Sequence, residues 1–122
     1  MILRAPALAL ALAAATNLPA LADGDASRGQ AEFKRCAACH ATDATPRVGP
    51  GLGGIVGRPV GTAAGFRYSK ALAQLGGDWS PDRLEAFLAD PRGYAPGTRM
   101  TLRIAKPEDR ADLVAYLATL RR

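Results

Sequence analysis

The sequence contains a single histidine and only two cysteines, and these three residues lie together at Cys36, Cys39 and His40. A structural zinc site needs four nitrogen or sulfur ligands. No other Cys or His is present to complete such a set. The composition therefore argues against a zinc finger or zinc ribbon.

The only long apolar stretch lies at the N-terminus, and Asn17 and Pro19 interrupt it. A membrane span needs about 20 continuous apolar residues, so an uncleaved anchor is the weaker alternative. Arg4 provides a charged start, residues 5–15 an apolar centre, and residues 20–22 an Ala-Leu-Ala cleavage site. We predict a cleaved signal peptide at residues 1–22, a single domain at residues 23–122, and export to the periplasm without stable membrane insertion.

The charge balance is basic, with 16 Lys and Arg against 11 Asp and Glu. Loss of a leader containing Arg4 leaves 15 basic residues and a net charge of about +4 with His neutral. A basic surface suits nucleic acid, anionic lipid or an acidic protein. Because the chain is exported and only 6% of its residues are aromatic, we expect an acidic protein partner and no nucleic acid.

Residues 36–40 follow the C-x-x-C-H pattern through which haem is covalently attached to protein. Two thiols at this spacing add across the two haem vinyl groups, and the adjacent His is placed beneath the iron. A thioredoxin-like dithiol is the alternative use of C-x-x-C, but no βαβ pattern precedes Cys36. We predict one haem c, attached through Cys36 and Cys39 with His40 as an axial ligand of the iron. Both thiols are then consumed, so no disulfide framework is left to propose.

The second axial position has few candidates, because the chain has no other His. After removal of the leader the only methionine is Met100, in a turn-rich loop formed by residues 94–100. A lone Met is more often core filler, but its position between two helices and the lack of other strong ligands favour Met100 as iron ligand. Two filled axial positions predict reversible one-electron transfer and no enzyme activity. A peroxidase-like or gas-binding protein, which needs an open iron, is the less favoured alternative.

Helical patterns separated by Gly- and Pro-rich segments predict an all-α chain. The first helix is predicted from about residue 26 to the haem motif, a short one over residues 69–75, and a third from the N-cap pair Ser80-Pro81 to Asp90-Pro91. The last is predicted from Pro107 to the C-terminal arginines, packed on the first helix at Gly29. Residues 41–65 are predicted to form a long ordered loop around the cofactor edge.

These features resemble the class I cytochromes c, of the mitochondrial type and the related bacterial soluble type, over nearly all of residues 23–122. The segments on which this resemblance rests are Gly29 to Phe33, Cys36 to His40, Gly49-Pro50, Gly57-Arg58, Gly65 to Ser69, Trp79, Pro91, Tyr94, Pro96 to Met100 and Asp109 to Leu117. The resemblance implies the cytochrome c fold, in which short helices and long loops wrap one haem.

The same resemblance implies roles for residues outside the haem-attachment motif. It implies that the Pro50 carbonyl accepts a hydrogen bond from His40, that Arg58, Tyr68 and Trp79 hold the haem propionates, and that Thr98 lies in the haem pocket. One departure is Phe87, where many family members have a Tyr that bonds the Met sulfur. That hydrogen bond is therefore expected to be absent.

The function that the resemblance implies is a soluble, monomeric periplasmic carrier between respiratory or photosynthetic redox proteins. Partners would be a cytochrome bc1-type donor and an oxidase, reductase or reaction centre acceptor, each with an acidic docking surface. A dedicated haem subunit of a larger oxidoreductase is the alternative. Candidates for a positive rim around the haem edge are Arg67, Lys70, Arg92, Arg99 and Arg103.

Overall fold

The computed structural model describes residue 1, residues 13–14 and residues 24–122. Most of the signal peptide predicted at residues 1–22, and the first residue predicted for the mature domain, lie outside the described residues. The described residues form five α-helices in this order: α1 (Ala26–Glu32), α2 (Lys70–Ala73), α3 (Pro81–Ala89), α4 (Pro91–Tyr94) and α5 (Pro107–Leu117). The described part of the chain contains no β-strand, only one isolated bridge between Pro59 and Asp78, so the predicted all-α class is confirmed.

Polar N-cap side chains set where the short helices begin. Ser69, Ser80 and Asp90 each accept a hydrogen bond from the backbone N–H three residues ahead, at 3.2, 3.2 and 3.1 Å. Pro81 and Pro91 occupy the first turns of α3 and α4, where a missing N–H costs nothing. The predicted start of α3 is confirmed.

One predicted helix end was wrong. The first helical run reaches the haem motif as predicted, but its last turn (Phe33–Arg35) is a 3₁₀ turn that leads into the turn carrying the cysteines. Helix α5 ends at Leu117 and not at the C-terminal arginines. The chain leaves the helix there because the Leu120 carbonyl accepts from the N–H of Gly54 at 3.1 Å, which ties the C-terminal segment to the long loop.

Helix α4 was not predicted, although Asp90-Pro91 repeats the cap-then-proline pattern that identified α3. The long loop was predicted correctly, since residues 41–65 form no helix or strand. Within the part of the chain that the structure describes, no helix has the length and apolar character that a membrane crossing requires.

Helix α1 packs on α5 at Gly29, as predicted. A Cβ at position 29 would overlap the carbonyl oxygen of Asp112, so only glycine allows this approach. Next to it, Phe33 and Tyr116 meet edge to face with ring centroids 5.4 Å apart, which is a favoured aromatic geometry.

The carboxylate of Asp112 joins the two helices from the side of α5. It is buried, and it accepts from the backbone N–H of Asp25 at 2.7 Å and from Arg28 Nε at 3.0 Å. The bond from Arg28 and then the bond from the Asp25 backbone lower the pKa of Asp112 below its usual value. The ionised form therefore stabilises the folded state.

We expect Asp112→Asn to lower the thermal unfolding midpoint at neutral pH by several degrees, because the amide loses the charged contact with Arg28. Because folding lowers the pKa of Asp112, its ionised carboxylate stabilises the protein at pH values above the unfolded-state pKa of about 4. This stabilisation is lost as the pH falls through the folded-state pKa. The gap in unfolding midpoint between the wild type and the variant should therefore shrink in acid. Circular dichroism melts at a series of pH values would record it. Asp82→Asn, at an exposed position of α3, is the control; a gap of constant size at every pH would contradict this account.

Candidate functional site

A cavity of about 500 Å³ lies among the helices and the long loop, within the size range of small-molecule sites. All nine residues predicted for the site line this cavity, although they come from six separate segments of the sequence. They are Cys36, Cys39, His40, Pro50, Arg58, Tyr68, Trp79, Thr98 and Met100.

His40 is held against the wall of the cavity by the long loop. Its Nδ1 lies 2.7 Å from the Pro50 carbonyl oxygen. A carbonyl can only accept, so Nδ1 carries the proton and Nε2 keeps its lone pair. Burial lowers the pKa of His40 below its usual value, and the bond to Pro50 offsets only part of that effect. The imidazole is therefore neutral at pH 7, which is the form that binds a metal.

Gly49 allows the loop to lie so close to the imidazole. A Cβ at this position would overlap the His40 ring, so the backbone beside Pro50 can reach it only with glycine. The N–H of Gly49 also donates to the Cys39 carbonyl at 2.8 Å. The orientation of His40 is thus fixed by backbone on two sides.

The two thiols lie on a turn that continues from α1. The N–H groups of Cys39 and His40 both donate to the Cys36 carbonyl, at 3.0 and 2.9 Å. Cys36 is half-buried, and burial is the main cause that raises the pKa of its thiol above the usual value, whereas Cys39 is exposed. The turn presents both sulfurs and the imidazole to the same cavity.

Arg58 lies at another part of the cavity wall and is almost fully buried, with 8% of its surface exposed. Its terminal nitrogens donate to the carbonyls of Gly51 and Gly53 at 3.2 Å, while its Nε has no partner within the described residues. Burial lowers the pKa of the guanidinium. A buried cation with an unused donor is costly unless an anion approaches it.

Tyr68 and Trp79 complete this polar part of the wall. The Tyr68 hydroxyl accepts from the N–H of Ala63 at 3.0 Å, which leaves its own proton free to be donated. Trp79 is 5% exposed and lies among Phe87 and Tyr94, with ring centroids 5.2 and 6.3 Å away. Donors of these types can satisfy buried carboxylates.

Met100 belongs to the segment between α4 and α5 and is half-buried on the cavity wall. A turn precedes it, in which the N–H of Thr98 donates to the Ala95 carbonyl at 2.9 Å and Gly97 has a φ of +99°. Only glycine adopts that conformation without strain. Beyond Met100, the N–H of Ile104 donates to the Leu88 carbonyl at 2.9 Å and anchors the segment to α3.

Most of the remaining wall is apolar, and sequence reasoning did not assign it to the site. The pattern of an amphipathic helix does not distinguish a cavity wall from ordinary core. The apolar lining consists of Leu52, Ile55, Phe66, Leu72, Leu84, Phe87, Leu88, Leu113 and Leu117.

These groups fit a haem. A haem has a broad apolar ring, two vinyl groups, two carboxylates and an iron atom. The cavity offers an apolar wall, two thiols, a neutral imidazole and a thioether. The unsatisfied Nε of Arg58 supplies a donor where a carboxylate is needed.

The exposed residues around the cavity are basic and apolar. Among the described residues that line it, the charged ones are Arg35, Arg58 and Arg99, and none is acidic. Val48 and Leu102 also line it and are 76% and 38% exposed. Of the predicted rim, Arg67, Lys70, Arg92 and Arg103 are exposed but do not line the cavity.

A sequence profile of the Cytochrome c family matches residues 26–121. The chain is 45% identical over 107 residues to a cytochrome c-type cyt cy of Rhodobacter capsulatus, covering 85% of this chain but only 53% of that protein. It is also 45% identical over 101 residues to a cytochrome c2 of Agrobacterium tumefaciens, covering 78% of this chain and 91% of the relative.

The fold is similar to solved structures of the same family. With cytochrome cH from Methylobacterium extorquens the TM-score is 0.76 at 41% sequence identity, over 79% of this chain and 99% of the other.

Proposed function

Since this chain belongs to the cytochrome c family, we propose that Cys36 and Cys39 attach its one haem c and that His40 and Met100 bind the iron. Membership of the family makes it a haem-binding protein of electron transport. The observation that carries the proposal is the convergence of both thiols, the imidazole and the thioether on one cavity. When bound, the haem supplies an iron centre that gains and loses one electron.

The residues around the cavity have separate tasks. The Pro50 carbonyl keeps Nδ1 of His40 protonated and Nε2 available for the metal. Arg58, Tyr68 and Trp79 hold the propionate carboxylates, and the apolar wall excludes water. A thioether ligand favours ferrous iron relative to a second imidazole, so we expect a high reduction potential.

If His40 and Met100 both bind the iron, a substrate or gas molecule would have to displace Met100 in order to bind. This favours a carrier of single electrons over a peroxidase-like or oxygen-binding protein.

We infer that residues 1–22 are a cleaved leader, that residues 23–122 form the mature domain, and that the protein works in the periplasm. Such a domain could also serve as the haem subunit of a larger oxidoreductase; co-purification with a partner would distinguish that arrangement.

The partner surface is inferred from the exposed residues around the cavity. Exposed Val48 and Leu102 line the same cavity as Arg99. The side chain of Arg99 is fixed, because its Nη2 donates to the Arg67 carbonyl at 2.8 Å. Asp82, Glu85 and Glu108 line a separate depression between α3 and α5. Of the exposed arginines that line the cavity, Arg35 is paired with Glu32 and Asp109. Arg99 belongs to none of the ion pairs among the described residues. This asymmetry would orient an acidic redox partner towards the cavity.

The mass of the protein purified from the periplasm tests the leader and the attachment site together. We expect the mass of residues 23–122 plus one haem. Replacement of both Cys36 and Cys39 by Ala should remove the haem mass, because no thioether can then form. A haem that stays on this variant through acid-acetone extraction would contradict the assignment, and a mass that includes residues 1–22 would contradict cleavage.

Met100→Ala should abolish the ferric charge-transfer band that arises from an iron–thioether bond, because no other residue on the cavity wall carries a thioether. The measurement is the visible spectrum of the oxidised protein. Leu102→Ala, which alters the same segment without removing a ligand atom, is the matched control and should keep the band. A band that survives in Met100→Ala would show that this residue is not the ligand.

Small charged electron donors test the basic surface without a protein partner. Reduction by anionic ferrocyanide should slow as the ionic strength rises from about 10 to about 200 mM, and reduction by cationic hexaammineruthenium(II) should accelerate, because salt screens the exposed charges. Replacing Arg67 and Arg103 by Gln should weaken both trends. Lys106→Gln is the control, and equal salt dependence for the two donors would rule out a positive surface at the electron entry point.

A further inference from the structure

Arg83 makes a set of contacts that sequence reasoning did not anticipate. It lies in α3 and does not line the cavity. Its Nε donates to the Tyr94 hydroxyl at 2.8 Å, and its Nη1 donates to the carbonyls of Gly76 and Asp78 at 3.0 and 3.1 Å. The guanidinium is thus attached to α4 and to the turn that precedes Trp79.

The same guanidinium lies over two aromatic rings. Its central carbon is 5.6 Å from the ring centroid of Trp79 and 6.0 Å from that of Tyr94, at the distance of a cation–π contact. Gly77 makes room for it, because a Cβ there would overlap Nη1, and the φ of +74° at this position also favours glycine. Trp79 therefore has the cation on its ring and the cavity beside it.

The charge of Arg83 is not neutralised nearby. None of the ion pairs among the described residues includes it, and its recorded hydrogen-bond acceptors are two carbonyls and a hydroxyl. A fixed positive charge disfavours ferric haem, which carries one more positive charge than ferrous haem. Arg83 can therefore affect the cavity both through the position of Trp79 and through its charge.

We propose that Arg83 is a positioning residue which clamps Trp79 at the propionate side of the cavity and raises the reduction potential of the haem. The inference rests on the proposed role of Trp79 at that wall. The planar guanidinium of Arg83 fixes the indole by contacts that lysine cannot reproduce. Its charge acts on the haem because the guanidinium lies a short distance from the cavity wall.

The test uses the haem-loaded protein and two variants. Arg83→Met removes the charge and the planar guanidinium, and should lower the midpoint of a redox titration and change the near-ultraviolet circular dichroism bands of the Trp79 indole. Since the chain contains a single Trp, the indole bands report this site alone. Arg83→Lys keeps the charge, and should retain a midpoint near that of the wild type while the indole bands of Trp79 still change.

Lys106→Met removes one exposed positive charge and is the control, which should alter neither signal. If Arg83 had only a structural role, Arg83→Met would lower the unfolding temperature. The redox midpoint and the Trp79 signal of the folded variant would then equal those of the control. That result would overturn the proposal. So would a midpoint that falls as far in Arg83→Lys as in Arg83→Met.

Trp79→Phe separates this inference from the proposed function. If Trp79→Phe shifts the midpoint and Arg83→Met does not, the role of Trp79 stands and the clamp is refuted. If neither variant shifts the midpoint while the wild type keeps its iron–thioether band, the His40 and Met100 assignment stands and the propionate role of Trp79 fails together with the clamp.

Discussion

Helix α1 can lie against α5 only because Gly29 has no side chain to collide with the backbone at Asp112. This crossing fixes the 3₁₀ turn after α1, and the turn that follows presents both thiols and the imidazole. From the other helix, Leu113 and Leu117 reach the same cavity. The contact between the two ends of the chain thus determines where the covalent attachment site lies relative to the apolar wall.

Arginine side chains replace much of the backbone hydrogen bonding that strands would provide elsewhere. Most of the chain between α1 and α5 is loop, and loop carbonyls that no backbone N–H reaches take other donors. A guanidinium offers five N–H groups in a fixed plane, so one side chain can serve two carbonyls. The arginine donors to loop or turn carbonyls are Arg47 to Ala37, Arg58 to Gly51 and Gly53, Arg83 to Gly76 and Asp78, Arg99 to Arg67, and Arg110 to Ile104 and Ala105. The basic composition therefore supports the loops as well as the charged surface.

The sequence was most informative where chemistry allows few residue types. The C-x-x-C-H pattern identified one end of the site, and the scarcity of His and Met identified Met100 as the candidate at the other; the structure places both on one cavity. The Ser80-Pro81 pair predicted the start of α3 for a local steric reason. Asp90-Pro91 carried the same information, but it was interpreted only as the end of a helix.

Long-range contacts could not be predicted from such local patterns. Helix α5 ends early because Leu120 pairs with Gly54, which is distant in sequence. Even the short-range contact of Arg83 with Trp79, four residues earlier, was not anticipated, because an exposed charge and a clamped charge look alike in a helical pattern. The role of Phe87 shows the same limit. It lines the cavity without a hydroxyl, so the position of Met100 depends on the backbone bonds at Thr98 and Ile104. Under the proposed ligation, the thioether would then bind iron without a donor from position 87 drawing electron density from its sulfur.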